Sequence, residues 1–448
     1  MFHGKKKSAR LRPKARSLPE AIREFLTPEV FKQVRKAASR RKMPRWDVHA
    51  LIYVLLIMTW CCGDSLPEKF EAAKNAYAKC CPKRRRPGKT FEGFEKAMIK
   101  LPMALLRTLA CSLRSRIEAL FGDRLFSFGF IPLGCDGTRQ ECPRTEELER
   151  RLKTGSKEDS APTIWNTSVV HLTLGIPWCW LFGPGGKSSE RAHLVQMLPL
   201  LPAAALLVTD AGYVGYEVLR RLVAAKTWFL LRMSSNATFY TDGDVPLEDF
   251  REGIVYYWPK CIQKEGLPPI RGRLIRVCSL RKKTDVWLFT NVEDPQRLSL
   301  DAASRFYRWR WENEGFFRTY KRTLGKLKMH SRTVRSVHRE AEASMIATQL
   351  LLCQGALAMR PVSQDATPVT CSPRKVLVEI RREFNSPRFR NDFVVRLAKA
   401  QRERRSRETP KEKRVWPRRK PYKPPSPPLL LKLTEELKSK IANTLCAA

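Results

Sequence analysis

Three acidic residues that lie far apart in the sequence are the first candidates for chemistry: Asp136, Asp210 and Glu314. Asp136 follows the apolar segment 128–135 and Asp210 follows the segment 205–209, so each aspartate is predicted at the end of a strand. The carboxyl ends of strands are where α/β sheets place their chemistry, and a glycine within two residues of each aspartate lets a ligand approach the backbone. Taken singly, each aspartate is equally typical of a turn, because Asp and Gly are common turn residues.

Glu314 lies in a segment, residues 300–324, whose pattern predicts a helix. At about 100° per residue, four polar side chains fall within roughly 60° of one another on one face of that helix. These residues are Tyr307, Arg310, Glu314 and Lys321. An acid between two cations could serve a metal ion and a phosphate together. The alternative is an ordinary ion pair between Arg310 and Glu314, which are four residues apart.

The three acids taken together indicate a metal site. Three carboxylates can hold two divalent cations about 4 Å apart. Mg²⁺ prefers such oxygen ligands and keeps several waters, and Mn²⁺ is a possible substitute. One ion would activate water or a DNA 3′-hydroxyl while the other stabilises the leaving oxygen. The combination therefore predicts two-metal cleavage of phosphodiester bonds.

The same residues carry a resemblance to a known family. The spacing Tyr-x2-Arg-x3-Glu-x6-Lys over residues 307–321 matches the YREK signature of the insertion sequence four group of DDE transposases. Residues 133–138, Leu-Gly-Cys-Asp-Gly-Thr, resemble the first aspartate motif of that group. Residues 208–213, Val-Thr-Asp-Ala-Gly-Tyr, resemble its second motif. The resemblance covers roughly residues 125–360.

This resemblance implies an RNase H-like catalytic core in which Asp136, Asp210 and Glu314 are the metal ligands. It also implies that three further residues bind phosphates near the cleaved transposon end: Tyr307, Arg310 and Lys321. Arginine suits that role because its guanidinium binds phosphate through two parallel hydrogen bonds. Ala211 stands where the group usually has a basic residue, which leaves a phosphate contact at that position in doubt.

Some members of the group form a DNA hairpin and stack a flipped base on a tryptophan of a β-rich insertion. Residues 286–290 resemble the strand that carries this tryptophan, which makes Trp287 the candidate for the contact with DNA. A shift of one residue turns a strand side chain to the other face, so a core position for Trp287 is the alternative. Trp258 and Trp228 are weaker candidates.

The composition indicates a polyanionic partner. Eighty-five basic and 44 acidic residues give a formal net charge of +41, which favours nucleic acid, although basic ribosomal and membrane-surface proteins share this property. The longest apolar segment, residues 50–60, is too short to cross a bilayer. No membrane role is therefore expected.

Two features that suggest cofactors do not have the spacing those cofactors require. The 13 cysteines include adjacent pairs at 61–62 and 80–81, but zinc sites need a gap between their cysteines, so reduced cytosolic thiols are expected. The segment 183–188 ends like a phosphate-binding loop, but Leu181 stands where that loop needs its first glycine. No nucleotide cofactor is expected.

Changes in pattern along the chain predict an α/β protein with an RNase H-like mixed sheet flanked by helices. We expect six segments: a basic mobile arm at 1–24, a helical DNA-binding domain at 25–125, the first part of the core at 126–234, a β-rich insertion at 235–298, the second part of the core with the catalytic helix at 299–360, and a basic, partly disordered C-terminal region at 361–448.

The sequence thus predicts a DDE-type transposase of an insertion sequence that cleaves DNA ends and transfers strands by cut-and-paste transposition. Expected partners are double-stranded DNA with terminal inverted repeats, target DNA and a second copy of the chain in the paired complex. We expect it in the cytoplasm, at the nucleoid. The alternatives are a non-catalytic or domesticated DNA-binding relative, and a metal-dependent nuclease without strand transfer.

Overall fold

A computed structural model describes residues 16–36, 46–152, 160–186, 188–243, 246–278, 285–359, 371–400 and 426–446. The chain forms two compact units. The first comprises residues 1–122, 318–362 and 369–403, and the second comprises residues 123–317, 363–368 and 404–448. Residues 1–15 of the predicted basic arm and residues 401–425 of the predicted basic tail lie outside the described residues.

The first unit begins with six helices: α1 (Leu18–Phe25), α2 (Pro28–Lys36), α3 (Val48–Ile57), α4 (Leu66–Cys80), α5 (Phe91–Lys100) and α6 (Met103–Phe121). Helix α1 occupies residues that the sequence assigned to a mobile arm, and this part of the prediction was wrong. Apolar residues at positions 18, 21, 22 and 25 lie on one face and are buried. Ser17 and Glu20 form a capping box that stabilises the start of the helix.

Residues 91–121 form two helices, α5 and α6, although their helical pattern in the sequence is continuous. Pro102 interrupts the helix, because the residue before a proline is disfavoured in the helical conformation. Leu101 accordingly adopts an extended backbone with a ψ angle of 120°.

The second unit alternates strands and helices as predicted. Its elements up to residue 318 are β1 (Ile131–Glu141), α7 (Glu146–Leu152), β2 (Thr163–His171), β3 (Ile176–Pro184), α8 (Glu190–Met197), β4 (Ala205–Thr209), α9 (Tyr216–Ala224), β5 (Trp228–Arg232), β6 (Thr238–Thr241), β7 (Glu252–Tyr257), α10 (Lys260–Lys264), β8 (Ile270–Val277), β9 (Val286–Thr290), α11 (Leu300–Trp309) and α12 (Glu312–Arg318).

The strands form one mixed sheet in the order β10-β6-β7-β8-β9-β5-β4-β1-β2-β3, where β10 (Leu429–Lys432) comes from the C-terminal region. Strands β1, β4 and β5 are parallel, and β1, β2 and β3 are antiparallel. The strands of the predicted insertion extend this same sheet, because β9 pairs with β5. The prediction of a mixed α/β architecture is confirmed.

Helix α11 packs on the central strands through a buried apolar cluster. Phe306 and Ala303 are fully buried in this cluster together with Leu206, Val208 and Leu230 of β4 and β5. Each large side chain of this kind stabilises the packing by about 1.5–3 kcal/mol. The cluster therefore holds α11 on one face of the sheet. Helix α11 comes directly before the segment that carries Glu314.

The remaining helices of the first unit are α13 (Val334–Ala358), α14 (Pro373–Asn385) and α15 (Phe393–Leu397). Helix α13 was predicted as part of the catalytic core, but it belongs to the first unit. It is buried on most sides, and the Trp60 indole donates a 3.1 Å hydrogen bond to the carbonyl of Ala347. A helix that is apolar on most sides must be enclosed by other elements, and here α3, α5 and α6 enclose it.

The second unit ends with α16 (Glu435–Cys446), where Ile441 packs against Trp258. Within the described ranges, none of the helices combines the length and the apolar character that crossing a bilayer requires.

Candidate active site

Asp136 lies inside β1 and not at its end, so the strand-end prediction for this residue was wrong. The strand continues to Glu141 because β2 pairs with it throughout, with Ser168 opposite Asp136. The parallel pairing with β4, however, stops at Gly134 and Val208. Asp136 and Asp210 each lie two residues beyond that last pair, so both leave the parallel part of the sheet at the same edge.

Both aspartates accept a hydrogen bond from a nearby backbone amide. Asp210 directly follows β4, as predicted, and its Oδ1 accepts a 2.8 Å hydrogen bond from the Gly212 amide. Asp136 Oδ1 accepts a 2.8 Å hydrogen bond from the Gly137 amide. Among the described contacts, the second carboxyl oxygen of each aspartate is not used, which leaves it available for a ligand.

Glu314 lies in α12, which a close contact holds against β1. The helix predicted over residues 300–324 is broken, because α11 ends at Trp309 and α12 begins at Glu312. The neighbour of Glu314, Asn313, is fully buried, and a Cβ built on Gly134 would lie 2.5 Å from its Nδ2 atom. Only glycine at position 134 allows this approach. Asn313 therefore fixes α12 over the strand that carries Asp136, while Glu314 itself is exposed.

The electrostatic environment of Asp136 shows which side chains it faces. Burial raises its pKa, and the negative charges of Asp210 and Glu314 raise it further. The Gly137 amide and the guanidinium of Arg310 act in the opposite direction. The structure thus brings the three predicted acids together with one predicted cation.

The donor set suits a hard divalent cation, because it consists only of carboxylate oxygens. As placed within the described residues, no three or more His, Cys, Asp or Glu side chains form a group that could hold a metal ion. Binding a metal would therefore draw these carboxylates closer together. The described cysteines likewise form no group that could hold a zinc ion, and all of them are free thiols.

Two aromatic rings lie near the guanidinium of Arg310. Its Cζ atom lies 5.7 Å from the centre of the Tyr307 ring and 5.2 Å from that of Trp311. Its Nε atom and the Tyr307 hydroxyl are buried and have no hydrogen-bond partner among the described residues. Each of these two polar groups therefore has an unused hydrogen bond in the structure.

Lys321 lies in the first unit, in a π-helix that spans Thr319–Thr323. Burial lowers the pKa of its ammonium group. The prediction that Tyr307, Arg310, Glu314 and Lys321 share one continuous α-helix was wrong, because the helix breaks after Trp309 and changes to a π-helix after Arg318.

Trp287 occupies a core position. It is 6% exposed, its ring lies 6.1 Å from that of Phe250, and Arg276 covers it at 5.5 Å. Trp258 is also fully buried. The large aromatic side chain that does reach solvent beside the acids is Trp311, which is 59% exposed. Sequence reasoning missed it, although its position directly after Arg310 was a signal.

Sequence reasoning also missed Glu190, the first residue of α8. Burial raises the pKa of Glu190, and the charges of Asp136 and Asp210 raise it further, so this fourth carboxylate lies beside the other acids. Its signal in the sequence was weak, because an acid in the first turn of a helix is common. Cys135, next to Asp136, is buried, and burial raises the pKa of its thiol well above the usual value.

Comparison with known proteins identifies a family model that covers this part of the chain. Residues 135–350 match the family model described as the transposase DDE domain. A search of curated proteins found no match. One similar solved structure is the cryo-EM structure of piggyBac transposase synaptic complex with hairpin DNA, at 9% identity and a TM-score of 0.40, covering 90% of this chain and 88% of that chain. The family match spans Asp136, Asp210 and Glu314, and it supports a DDE transposase.

Proposed function

We propose that this chain is a metal-dependent DNA transposase that cleaves the ends of an insertion sequence and joins them to target DNA by cut-and-paste transposition. One observation carries the proposal. Asp136, Asp210 and Glu314 are separated by 74 and 104 residues in the sequence, yet the charges of Asp210, Glu314 and Arg310 all act on Asp136, inside the segment that matches the transposase DDE domain.

The finer assignment to the insertion sequence four group rests on the YREK spacing and on the order of the strands. From β1 to β5 the elements follow in the order β1, α7, β2, β3, α8, β4, α9 and β5. Antiparallel β1, β2 and β3 beside parallel β4 and β5 support an RNase H-like core. Both assignments remain proposals.

In the proposed mechanism, Asp136, Asp210 and Glu314 would hold two Mg²⁺ ions, or Mn²⁺ in their place, and these ions would supply activation of the attacking hydroxyl and stabilisation of the leaving oxygen. Arg310 binds a phosphate oxygen, and the nearby rings of Tyr307 and Trp311 keep its guanidinium oriented. The Tyr307 hydroxyl donates a hydrogen bond to the same DNA strand. The resemblance adds Lys321 as a further phosphate ligand.

The proposed partners follow from the charge and from the resemblance. A net charge of +41 favours binding to the DNA backbone. We propose that the helices within residues 25–125 bind terminal inverted repeats, and that two copies of the chain pair the two ends. Trp287 is a less suitable base-stacking residue than the resemblance implied, because stacking would require this buried side chain to leave the core.

The proposal is tested with Mg²⁺ and DNA that carries the sequences flanking the reading frame. We expect Asp136→Asn, Asp210→Asn and Glu314→Gln each to abolish cleavage while DNA binding is retained. Glu217→Gln is the matched control, because Glu217 is exposed on α9 and pairs with Arg220 and Arg221. Full cleavage by any one of the three acid variants would overturn the site.

The same reaction separates the alternatives. Joined products indicate a transposase, and cleaved but unjoined products indicate a nuclease. DNA binding by the wild type without any cleavage indicates a non-catalytic relative.

A further inference from the structure

Glu190 lies against Gly137, the residue of β1 that directly follows Asp136. It is the first residue of α8, directly after the connection from β3. A Cβ built on Gly137 would lie 2.6 Å from Glu190 Cδ and 2.7 Å from its Cγ. Any side chain at position 137 would therefore displace the carboxylate. Glycine at this position is explained by the presence of Glu190.

Glu190 is also connected to the turn that follows Asp210. The hydroxyl of Tyr213 is close enough to the Glu190 carboxylate to lower its pKa, against the effect of burial. Tyr213 is 1% exposed and ends the 3-10 helix Ala211–Tyr213, which begins directly after Asp210. The thiol of Cys135 lies 3.4 Å from the same hydroxyl. One carboxylate thus lies between Gly137, next to Asp136, and Tyr213, in the turn that follows Asp210.

The next residue of α8 strengthens this connection. Arg191 donates a 2.7 Å hydrogen bond from Nε to the Gly212 carbonyl, in the turn whose amide binds Asp210. Helix α8 is itself anchored to the sheet, because His193 Nδ1 lies 2.9 Å from the Thr167 hydroxyl of β2. Glu190 and Arg191 therefore extend from a fixed helix to the two segments that follow Asp136 and Asp210.

Glu190 does not have the contacts of a structural ion pair. Within the described part of the chain it forms no ion pair, whereas Glu217 on α9 pairs with two arginines. A half-buried, unpaired carboxylate beside two other acids is unfavourable on its own. A divalent cation bound by Asp136 and Asp210 would offset this repulsion.

We propose that Glu190 is a positioning residue that fixes the separation of Asp136 and Asp210 through Gly137 and Tyr213. This inference rests on the proposed function, since the separation matters only if the two aspartates share metal ions. A residue that orients metal ligands without binding the metal directly changes metal affinity by about 10- to 100-fold when removed. The effect should therefore appear in metal affinity more than in the maximal rate.

The test measures the affinity of the full chain for Mn²⁺ alone by calorimetry, and the Mg²⁺ concentration that gives half-maximal cleavage. We expect Glu190→Ala to weaken Mn²⁺ binding about 10- to 100-fold and to raise the Mg²⁺ midpoint, with a smaller change in the rate at saturating Mg²⁺. Tyr213→Phe should act in the same direction. Glu190→Gln keeps an oxygen that accepts the Tyr213 hydroxyl, so it should lose less affinity than Glu190→Ala.

The double variant Glu190→Ala, Tyr213→Phe shows whether the two residues act as one unit. It should bind Mn²⁺ no more weakly than Glu190→Ala alone. Gly137→Ala should weaken Mn²⁺ binding with Glu190 still in place, because the new methyl group displaces the carboxylate. Glu217→Ala is the control and should match the wild type.

Two outcomes are distinguishable. The first concerns the variants Tyr213→Phe and Glu190→Gln, and Glu190→Ala if it folds. If Mn²⁺ affinity and the Mg²⁺ midpoint stay within twofold of the wild type in all of them, this inference is overturned and the proposed function is left intact. A wild-type protein that neither binds Mn²⁺ nor cleaves DNA would overturn the proposed function and this inference with it.

Discussion

The amide of Asn313 lies directly over the Cα atom of Gly134. A Cβ at position 134 would lie 2.5 Å from Asn313 Nδ2 and 2.6 Å from Leu172 Cδ2. The contact joins α12, which carries Glu314, to β1, which carries Asp136. The distance between those two acids therefore depends on a glycine that touches neither of them.

We expect Gly134→Ala to destabilise the protein by about 1–3 kcal/mol, because the added methyl group overpacks a filled site. It should also reduce Mg²⁺-dependent cleavage, since α12 must move away from β1. Chemical denaturation and a cleavage assay measure the two effects.

The compensating variant is Asn313→Ala. The amide of Asn313 is buried with no hydrogen-bond partner among the described residues, so its removal leaves no broken hydrogen bond. Gly134→Ala combined with Asn313→Ala should recover part of the lost stability and activity. A double variant as impaired as Gly134→Ala alone would show that this contact does not set the position of α12.

Arg310 is expected to bind a DNA phosphate. Arg310→Ala should weaken binding to end DNA and should reduce the slope of log affinity against log salt concentration by about 0.9. Arg310→Lys should keep most of the slope but lose affinity, because an ammonium group cannot form the paired hydrogen bonds of a guanidinium. Binding measured by fluorescence anisotropy at several salt concentrations gives both quantities.

The control for Arg310 is Arg220→Ala, since Arg220 is exposed on α9 and paired with Glu217. An unchanged salt slope in Arg310→Ala would remove this residue from the phosphate contacts.

Removal of the Trp287 side chain is expected to reduce stability, whereas removal of the Trp311 side chain is expected to affect DNA binding. Trp287→Ala should lower the free energy of unfolding by about 3–5 kcal/mol, because the ring is packed in the core. Trp311→Ala should change stability by less than about 0.5 kcal/mol, since its ring is exposed. If Trp311 stacks on an unpaired base, its loss should weaken binding to DNA with a single-stranded end by about 1–3 kcal/mol.

Denaturation curves and titrations with single-stranded and duplex ends distinguish these effects. Equal affinity of Trp311→Ala and wild type for both DNAs would exclude base stacking by Trp311.

A buried ion pair in the first unit predicts a pH dependence of stability. Burial by itself raises the pKa of Glu340, but the Lys326 ammonium at 2.8 Å and the hydrogen bonds from Lys326 and Ser331 outweigh it and lower the pKa to about 2. The folded state therefore holds the ionised carboxylate more strongly than the unfolded chain does. The resulting stability is present above the ordinary pKa of 4.5 and is lost as the pH falls from there towards about 2.

Glu340→Gln leaves Lys326 buried and unpaired, so we expect it to destabilise the protein by about 3–5 kcal/mol at pH 7. The difference from wild type should shrink as the pH falls below 4.5, since the wild type then loses the same interaction. Urea denaturation at pH 7, 4 and 2.5 tests this. A difference that stays constant over this range would show that the ionised carboxylate is not what stabilises the unit.

Much of the site was predictable from local patterns. The acids, their neighbouring glycines and the YREK spacing are visible in the sequence, and an apolar run such as residues 205–209 predicts the strand that places Asp210. The boundary of β1 was not predictable in this way, because its continuation past Asp136 depends on pairing with β2. Pairing between strands about 30 residues apart leaves no trace in the composition of either strand.

Residue types and their spacing determined which side chains carry the chemistry, since acidity, charge and glycine flexibility are properties of single residues. Packing decided which of them meet. The contact of Asn313 with Gly134, the connection from Glu190 to Tyr213 and the burial of Trp287 each join segments that are distant in the chain, or select one face of a strand. Such relationships depend on how whole elements exclude water and fill space together, and no short window of sequence contains that information.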